Sequence, residues 1–125
     1  MERPIGRLPD GELEVMQAVW RCTPPVTRGE IETVLAKTHP LASTTILTLL
    51  TRLTQRGALQ MEKRGRSNVY TPTFTQQAYL AAQSGRFFRK LCGGDLRLFA
   101  SALCDSGLSR EEVEQLRQLL DEDGL

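Results

Sequence analysis

Hydroxyl and guanidinium side chains are concentrated between residues 44 and 67, where their spacing suits contact with DNA. Three threonines and Arg52 fall on the polar side of an amphipathic segment. Threonine hydroxyls can hydrogen-bond phosphates or base edges, their methyl groups can touch thymine methyls, and an arginine can reach phosphate or a guanine edge. A basic tip further along would add phosphate contacts or enter the neighbouring minor groove. The candidate DNA-binding residues are Thr44, Thr45, Thr48, Arg52, Arg64, Arg66 and Ser67.

The alternative for this threonine-rich face is an ordinary polar surface in contact with solvent. Threonine is a poor helix former because its Cβ is branched, yet four of the eight residues from 44 to 51 are threonine. Some function should compensate for this composition, and DNA contact is the natural candidate. Leu47 points the same way, because it lies off the apolar stripe of the segment.

Catalytic and metal chemistry find no support in the sequence. The single histidine, His39, precedes Pro40 in a predicted turn, and neither a Ser/His/Asp set nor a glycine-rich phosphate loop is present. Cys22, Cys92 and Cys104 are widely spaced, which favours reduced thiols over a disulfide framework or a zinc site. We therefore expect no enzyme, no metal and no cofactor. Redox control through Cys92 and Cys104 stays open as an alternative.

The composition is that of an ordinary globular protein, with 125 residues, 40% hydrophobic and 25% charged. Because no apolar run approaches the ~20 residues that span a bilayer and the N-terminus lacks a signal-like apolar core, we expect a cytoplasmic protein without membrane contact. Residues 1–72 carry ten basic and seven acidic side chains, whereas residues 73–125 carry six and eight. This asymmetry favours a front half that faces nucleic acid and a back half that faces a partner.

Two short helices are predicted in front of the threonine-rich segment. The first begins with Asp10 as its N-cap and ends before the prolines that start at Pro24, because proline cannot continue a helix. The second opens at a capping box formed by Thr27 and Glu30.

The third helix and a hairpin complete a winged helix-turn-helix, predicted over residues 1–74. Ser43 is the expected cap of the third helix and Gly57 its C-cap. Residues 58–74 then split around Gly65 into a two-stranded hairpin. In this arrangement the third helix lies in the major groove of double-stranded DNA. Its apolar stripe consists of Ile46, Leu49, Leu50 and Leu53.

Residues 75–125 are predicted as a helical dimerisation domain, with a helix over 75–91, an apolar helix over 95–104 and a last helix opened by a capping box at Ser109. Helices this short cannot bury such wide apolar faces alone, and each large side chain contributes about 1.5–3 kcal/mol when buried. They either fold back on the front domain or pair with a second copy, which would place two reading heads on two half-sites. The candidate dimerisation residues are Phe87, Leu91, Leu96, Phe99, Leu103, Val113, Leu116 and Leu120. The predicted fold class is mainly α with a small antiparallel β wing.

Several motifs recur in order along the chain. They are ELEVMQAVW at 12–20, T-x-x-E-I at 27–31, T-x-x-T-L-L-x-R-L at 45–53, G-A-L-x-x-E-K-x-G-R at 57–66, Y-x-P at 70–72, F-x-x-K-L-x-G-G at 87–94 and L-S-x-E-E-x-x-x-L at 108–116. In these motifs the chain resembles the BlaI/MecI/CopY family of transcriptional repressors. The resemblance implies a winged-helix domain, a C-terminal dimerisation domain and a homodimer that represses transcription from a palindromic operator.

The resemblance also indicates which positions face DNA. Thr45, Thr48 and Arg52 match groove-facing positions of the family, and Thr44 stands where lysine is common. Gly65 and Arg66 match the tip of the wing.

Two departures from the family leave the inducing signal open. Ser101-Ala102 stands where the penicillinase branch has the Asn-Phe bond that is cleaved on induction. The chain ends in LLDEDGL, without the cysteine pairs of the copper-responsive branch.

The alternative function is a winged-helix protein-interaction module that binds no specific DNA sequence.

Overall fold

The structure is a computed structural model that describes residues 5–122. This part of the chain contains six α-helices, one π-helical turn and a three-stranded sheet, which confirms the predicted fold class. In chain order the elements are α1 Asp10–Trp20, β1 Val26–Thr27, α2 Arg28–Ala36, α3 Ser43–Arg56, β2 Leu59–Arg64, β3 Ser67–Pro72, α4 Gln76–Arg86, the π-helical turn Phe87–Leu91, α5 Leu96–Asp105 and α6 Arg110–Glu122.

The helix caps follow the sequence with two corrections. At α2 the hydroxyl of Thr27 accepts a hydrogen bond from the Glu30 backbone N–H, and the Glu30 carboxylate accepts one from the Thr27 N–H, so this capping box is confirmed. The predicted caps of α1 and α3 were each placed one residue too late, since Pro9 and Ala42 hold the N-cap positions. Their carbonyls accept the first intrahelical hydrogen bonds.

The sheet is antiparallel and has the order β1-β3-β2. Strands β2 and β3 form the predicted hairpin, whose last pair is Arg64 with Ser67. Gly65 takes a φ of 61° in the two-residue turn, a conformation that glycine adopts without steric cost. The two-residue strand β1, which pairs with β3, was not predicted because it is too short to show alternation.

The core lies between α3, α1 and the sheet. The predicted stripe of α3 is buried, and Leu50 and Leu53 are among the fully buried side chains. Trp20, Phe74 and Tyr79 form an aromatic cluster, which packs the start of α4 against this core. The Trp20 indole donates to the Phe74 carbonyl at 3.1 Å, and the Tyr79 hydroxyl accepts from the Leu8 N–H at 3.0 Å.

The chain forms two compact units, the first ending at Gln83 and the second starting at Ser84. The boundary predicted after residue 74, between a DNA-binding and a dimerisation domain, stays a prediction.

In the second unit, Phe99 packs against Phe87 and Phe88, with ring centroids 5.8 and 5.5 Å apart. The helix predicted over 75–91 is α-helical only to Arg86 and then continues as the π-helical turn. The capping box at Ser109 is confirmed.

Neither membrane spans nor metal clusters occur in the described part of the chain. Among residues 5–122 no helix combines the length and apolarity that crossing a bilayer requires. The same residues contain no group of three or more His, Cys, Asp or Glu arranged around a common point.

The thiol of Cys22 should titrate at higher pH in the native protein than in the unfolded chain. Burial raises the pKa of Cys22, and the nearby Glu30 carboxylate raises it further. A raised pKa lowers the thiolate fraction at neutral pH, and the thiolate is the reactive form. Iodoacetamide labelling, followed by peptide mass spectrometry across a pH series, should therefore show an inflection for Cys22 that moves down in urea.

The variant Glu30→Gln is the control for this labelling experiment. Glutamine can keep the capping box while removing the charge, so the native inflection should move down partway. An inflection for Cys22 at the same pH in native and unfolded protein would contradict the assignment.

Candidate nucleic-acid interface

The polar face of α3 is exposed to solvent. Beneath it the apolar stripe is buried, so the opposite side of the helix meets solvent. All seven candidate DNA-binding residues have exposed side chains, and the structure places four of them on α3 and three at the β2–β3 turn. Their exposure makes them available to a ligand, while their individual contacts with DNA stay a prediction.

The threonines of α3 divide into two chemical kinds. Thr48 donates its hydroxyl hydrogen to the carbonyl of Thr44 at 3.0 Å, and Thr51 donates to the carbonyl of Leu47 at 2.9 Å. Such back-bonding is the common local partner of a threonine inside a helix. The hydroxyl hydrogens of Thr48 and Thr51 are therefore used within the helix, although each oxygen can still accept a hydrogen bond. Among residues 5–122, Thr44 and Thr45 have no such partner for their hydroxyls.

The hairpin presents cationic side chains at its exposed end. The two-residue turn between Arg64 and Ser67 projects Arg66, and Lys63 and Arg64 precede it on β2. The Arg64 guanidinium lies 3.7 Å from the Glu62 carboxylate, and both side chains are well exposed. An ion pair this exposed contributes little to stability, so Arg64 can exchange its carboxylate partner for a phosphate at small cost.

A groove of about 310 Å³ lies where the start of α2, the side of α3 and the hairpin meet. Leu47 forms part of its lining, together with Arg28 and Arg66. Arg28 is a cation in the first turn of α2, where the helix dipole favours anions. Arg28 also pairs with the Glu32 carboxylate at 3.5 Å, and sequence reasoning did not include it among the candidate residues.

An ion pair between the buried Glu12 and the half-exposed Arg56 holds the C-terminal end of α3 against α1. Glu12 is only 2% exposed, and its two carboxylate oxygens accept from Arg56 at 2.6 Å (Nε) and 3.2 Å (Nη2). The hydrogen bonds to Glu12 and its charge raise the pKa of Arg56 above its ordinary value. Two parallel hydrogen bonds define direction as well as distance, so the pair orients α3. Sequence reasoning missed this pair; the signal was Glu12 on the face of α1 that carries Val15 and Met16.

Comparisons with known proteins cover nearly the whole chain. The profile of the family described as "Penicillinase repressor" matches residues 8–122. The penicillinase repressor of Bacillus licheniformis is 35% identical over 121 residues, which cover 96% of this chain and 94% of that protein.

Two solved structures share the fold of part of this chain. One is the solution structure of the DNA-binding domain of the repressor BlaI, with a TM-score of 0.52 and 37% identity over 63% of this chain and 94% of that one. The other is the B. licheniformis BlaI monomeric form in complex with the blaP half-operator, with a TM-score of 0.50 and 38% identity over the same shares of the two chains.

Proposed function

The chain belongs to the penicillinase repressor family, and on this premise we propose that it is a sequence-specific transcriptional repressor that binds a palindromic operator as a homodimer. The observation that carries the proposal is the exposed threonine-and-arginine face of α3 beside the basic hairpin. The same fold occurs in a relative of known structure bound to a half-operator. The protein is a DNA-binding regulator and not an enzyme.

We infer that α3 lies in the major groove and the hairpin lies along the phosphates. A B-form major groove is wide enough for one helix. Arg52 would contact a guanine edge or a phosphate, and the hairpin cations would bind phosphates or the adjacent minor groove. The proposed contact residues are Thr44, Thr45, Thr48, Arg52, Arg64, Arg66 and Ser67.

Residues 75–125 are proposed to supply the dimer contact. Support comes from the leucines of the second unit, since Leu91 is 75% and Leu96 is 69% exposed within the protomer. Apolar side chains left this open in one protomer are suited to burial against a second copy. Phe99, in contrast, is half-buried and packs on Phe87 and Phe88, so it shapes the unit that carries this surface. The proposed dimerisation residues are Phe87, Leu91, Leu96, Phe99, Leu103, Val113, Leu116 and Leu120.

We also propose that the protein acts in the cytoplasm. Its proposed ligand is double-stranded operator DNA, which in a bacterium lies in that compartment.

Gel-shift titration against the DNA upstream of the protein's own gene tests the function. We expect binding that prefers this DNA over unrelated sequence. With about six phosphate contacts in the dimer, affinity should fall by about 10³-fold between roughly 50 and 200 mM salt. Equal affinity for unrelated DNA, or no binding, would contradict the proposal and favour a winged-helix protein-interaction module.

A further inference from the structure

An apolar side chain, Leu47, lies at the flank of the exposed face of α3, beside the groove that α3 forms with the start of α2 and the hairpin. Leu47 is 41% exposed, although the side chains of the core stripe are buried. Thr44 and Thr51 lie three and four residues from Leu47, so their side chains are its neighbours on the helix surface, and Thr48 in turn lies three residues from Thr51. Leu47 therefore borders the threonines of the surface that we propose to enter the major groove.

The hydrogen bonds of the threonines make this surface more apolar than its sequence suggests. Thr48 and Thr51 direct their hydroxyl hydrogens to helix carbonyls, at 3.0 and 2.9 Å. We call Leu47, Thr48 and Thr51 the methyl patch.

The surroundings of the methyl patch favour DNA as its occupant. The groove that Leu47 lines also contains Arg66 and Arg28, the second paired with Glu32 at 3.5 Å, and both cations would meet phosphates beside the base-reading surface. On the major-groove edges of the bases, the apolar group is the C5-methyl of thymine. An apolar side chain with cations beside it therefore complements a thymine and a neighbouring phosphate.

We propose that the methyl patch reads thymine methyl groups in the operator, by apolar contact. This inference rests on the proposed function and adds to it the chemical group that α3 recognises. Thr48 acts in it through its methyl group, whereas the hydrogen bond it donates is internal to the helix.

Replacement of thymine by deoxyuridine in the operator tests the proposal, because this change removes only the C5-methyl group. The full-length protein should bind the deoxyuridine operator about fourfold more weakly for each buried methyl that is lost, hence about tenfold or more over two half-sites. The same replacement in unrelated DNA corrects for changes in duplex shape. Specific binding with no thymine preference would overturn the proposal and leave the repressor function standing, whereas absence of specific binding to either operator would contradict the function itself.

Variants of the protein identify which side chains produce the preference for thymine over deoxyuridine. Leu47→Ala should reduce the thymine-over-deoxyuridine ratio toward one. Leu80→Ala is the matched control, since Leu80 is an exposed leucine on α4 outside both sets of proposed contact residues, and it should retain the thymine-over-deoxyuridine ratio of the unmodified protein whatever its overall affinity. An unchanged ratio in Leu47→Ala would overturn the assignment.

Two replacements of Thr48 separate its methyl group from its hydroxyl. Thr48→Val keeps a methyl group and loses the hydroxyl, so it should retain the thymine preference. Thr48→Ser keeps the hydroxyl and loses the methyl group, so the preference should fall. The reverse pattern would show that the hydroxyl reads the base and would overturn the proposal.

Discussion

The double variant Leu91→Glu, Leu96→Glu is expected to be a monomer that binds the operator about a hundredfold or more weakly than the wild type. The two leucines are 75% and 69% exposed in the protomer, so glutamate at these positions meets solvent there and should leave the protomer folded. In the proposed dimer the same substitutions bring four carboxylates into an apolar contact, where burial of unpaired charge is strongly unfavourable.

The loss of affinity follows from the loss of linked binding. A dimer that has bound one half-site holds its second reading head close to the other, and such linkage raises affinity by about 10²–10⁴ without any new contact. Size-exclusion chromatography with light scattering should report the monomer mass, and gel shifts should report the weakened operator binding. Affinity for an isolated half-site should not change, because α3 and the hairpin are untouched.

The conservative double variant Leu91→Met, Leu96→Met is the control. It keeps apolar side chains of similar volume at both positions and should remain a dimer with near-normal operator affinity. A dimeric glutamate variant would place the partner contact elsewhere in the chain. A monomeric one with unchanged affinity would remove the homodimer from the mechanism.

The fold was predictable wherever a local pattern determined the structure. The stripe of α3 repeats at helical spacing, and Gly65 stands between two segments of strand character, so both elements followed from neighbouring residues alone. β1 has two residues, too few for any period to appear. The change from α- to π-helix after Arg86 also has no signal in the local spacing of apolar residues.

The site was predictable as a surface but not as a set of contacts. Amphipathic spacing identified the face of α3 that would be exposed, because the buried stripe determines its opposite side. The hydrogen bonds of Thr48 and Thr51 depend on side-chain rotamers, which composition does not reveal. The pair of Glu12 and Arg56 joins residues 44 apart in the chain, and only tertiary packing brings them together.

Arg52 and Arg56, one helical turn apart on α3, should separate DNA binding from stability. Arg52 is exposed and forms no ion pair with any residue from 5 to 122, so Arg52→Ala should leave the free energy of unfolding within about 0.5 kcal/mol of the wild type. If Arg52 contacts a guanine edge, the same variant should lose about 1–3 kcal/mol of operator specificity in each half-site. Gel shifts on operator and unrelated DNA measure this loss.

Arg56→Ala should instead lower the stability of the protein and leave its operator specificity largely unchanged. It leaves the carboxylate of Glu12, which is 2% exposed, without its two hydrogen-bond donors, and an unpaired buried charge is destabilising. We expect a lower urea midpoint for Arg56→Ala than for Arg52→Ala, and only partial recovery in Arg56→Lys, since an ammonium group cannot form the bidentate contact.

Because the pKa of Arg56 is raised, the ion pair is fully present below the ordinary arginine pKa and is lost only as pH rises through the raised value. The difference in midpoint should therefore persist from neutral to mildly alkaline pH. Equal midpoints for the two alanine variants would contradict the structural role of Arg56, and equal operator affinity for wild type and Arg52→Ala would remove Arg52 from the reading surface.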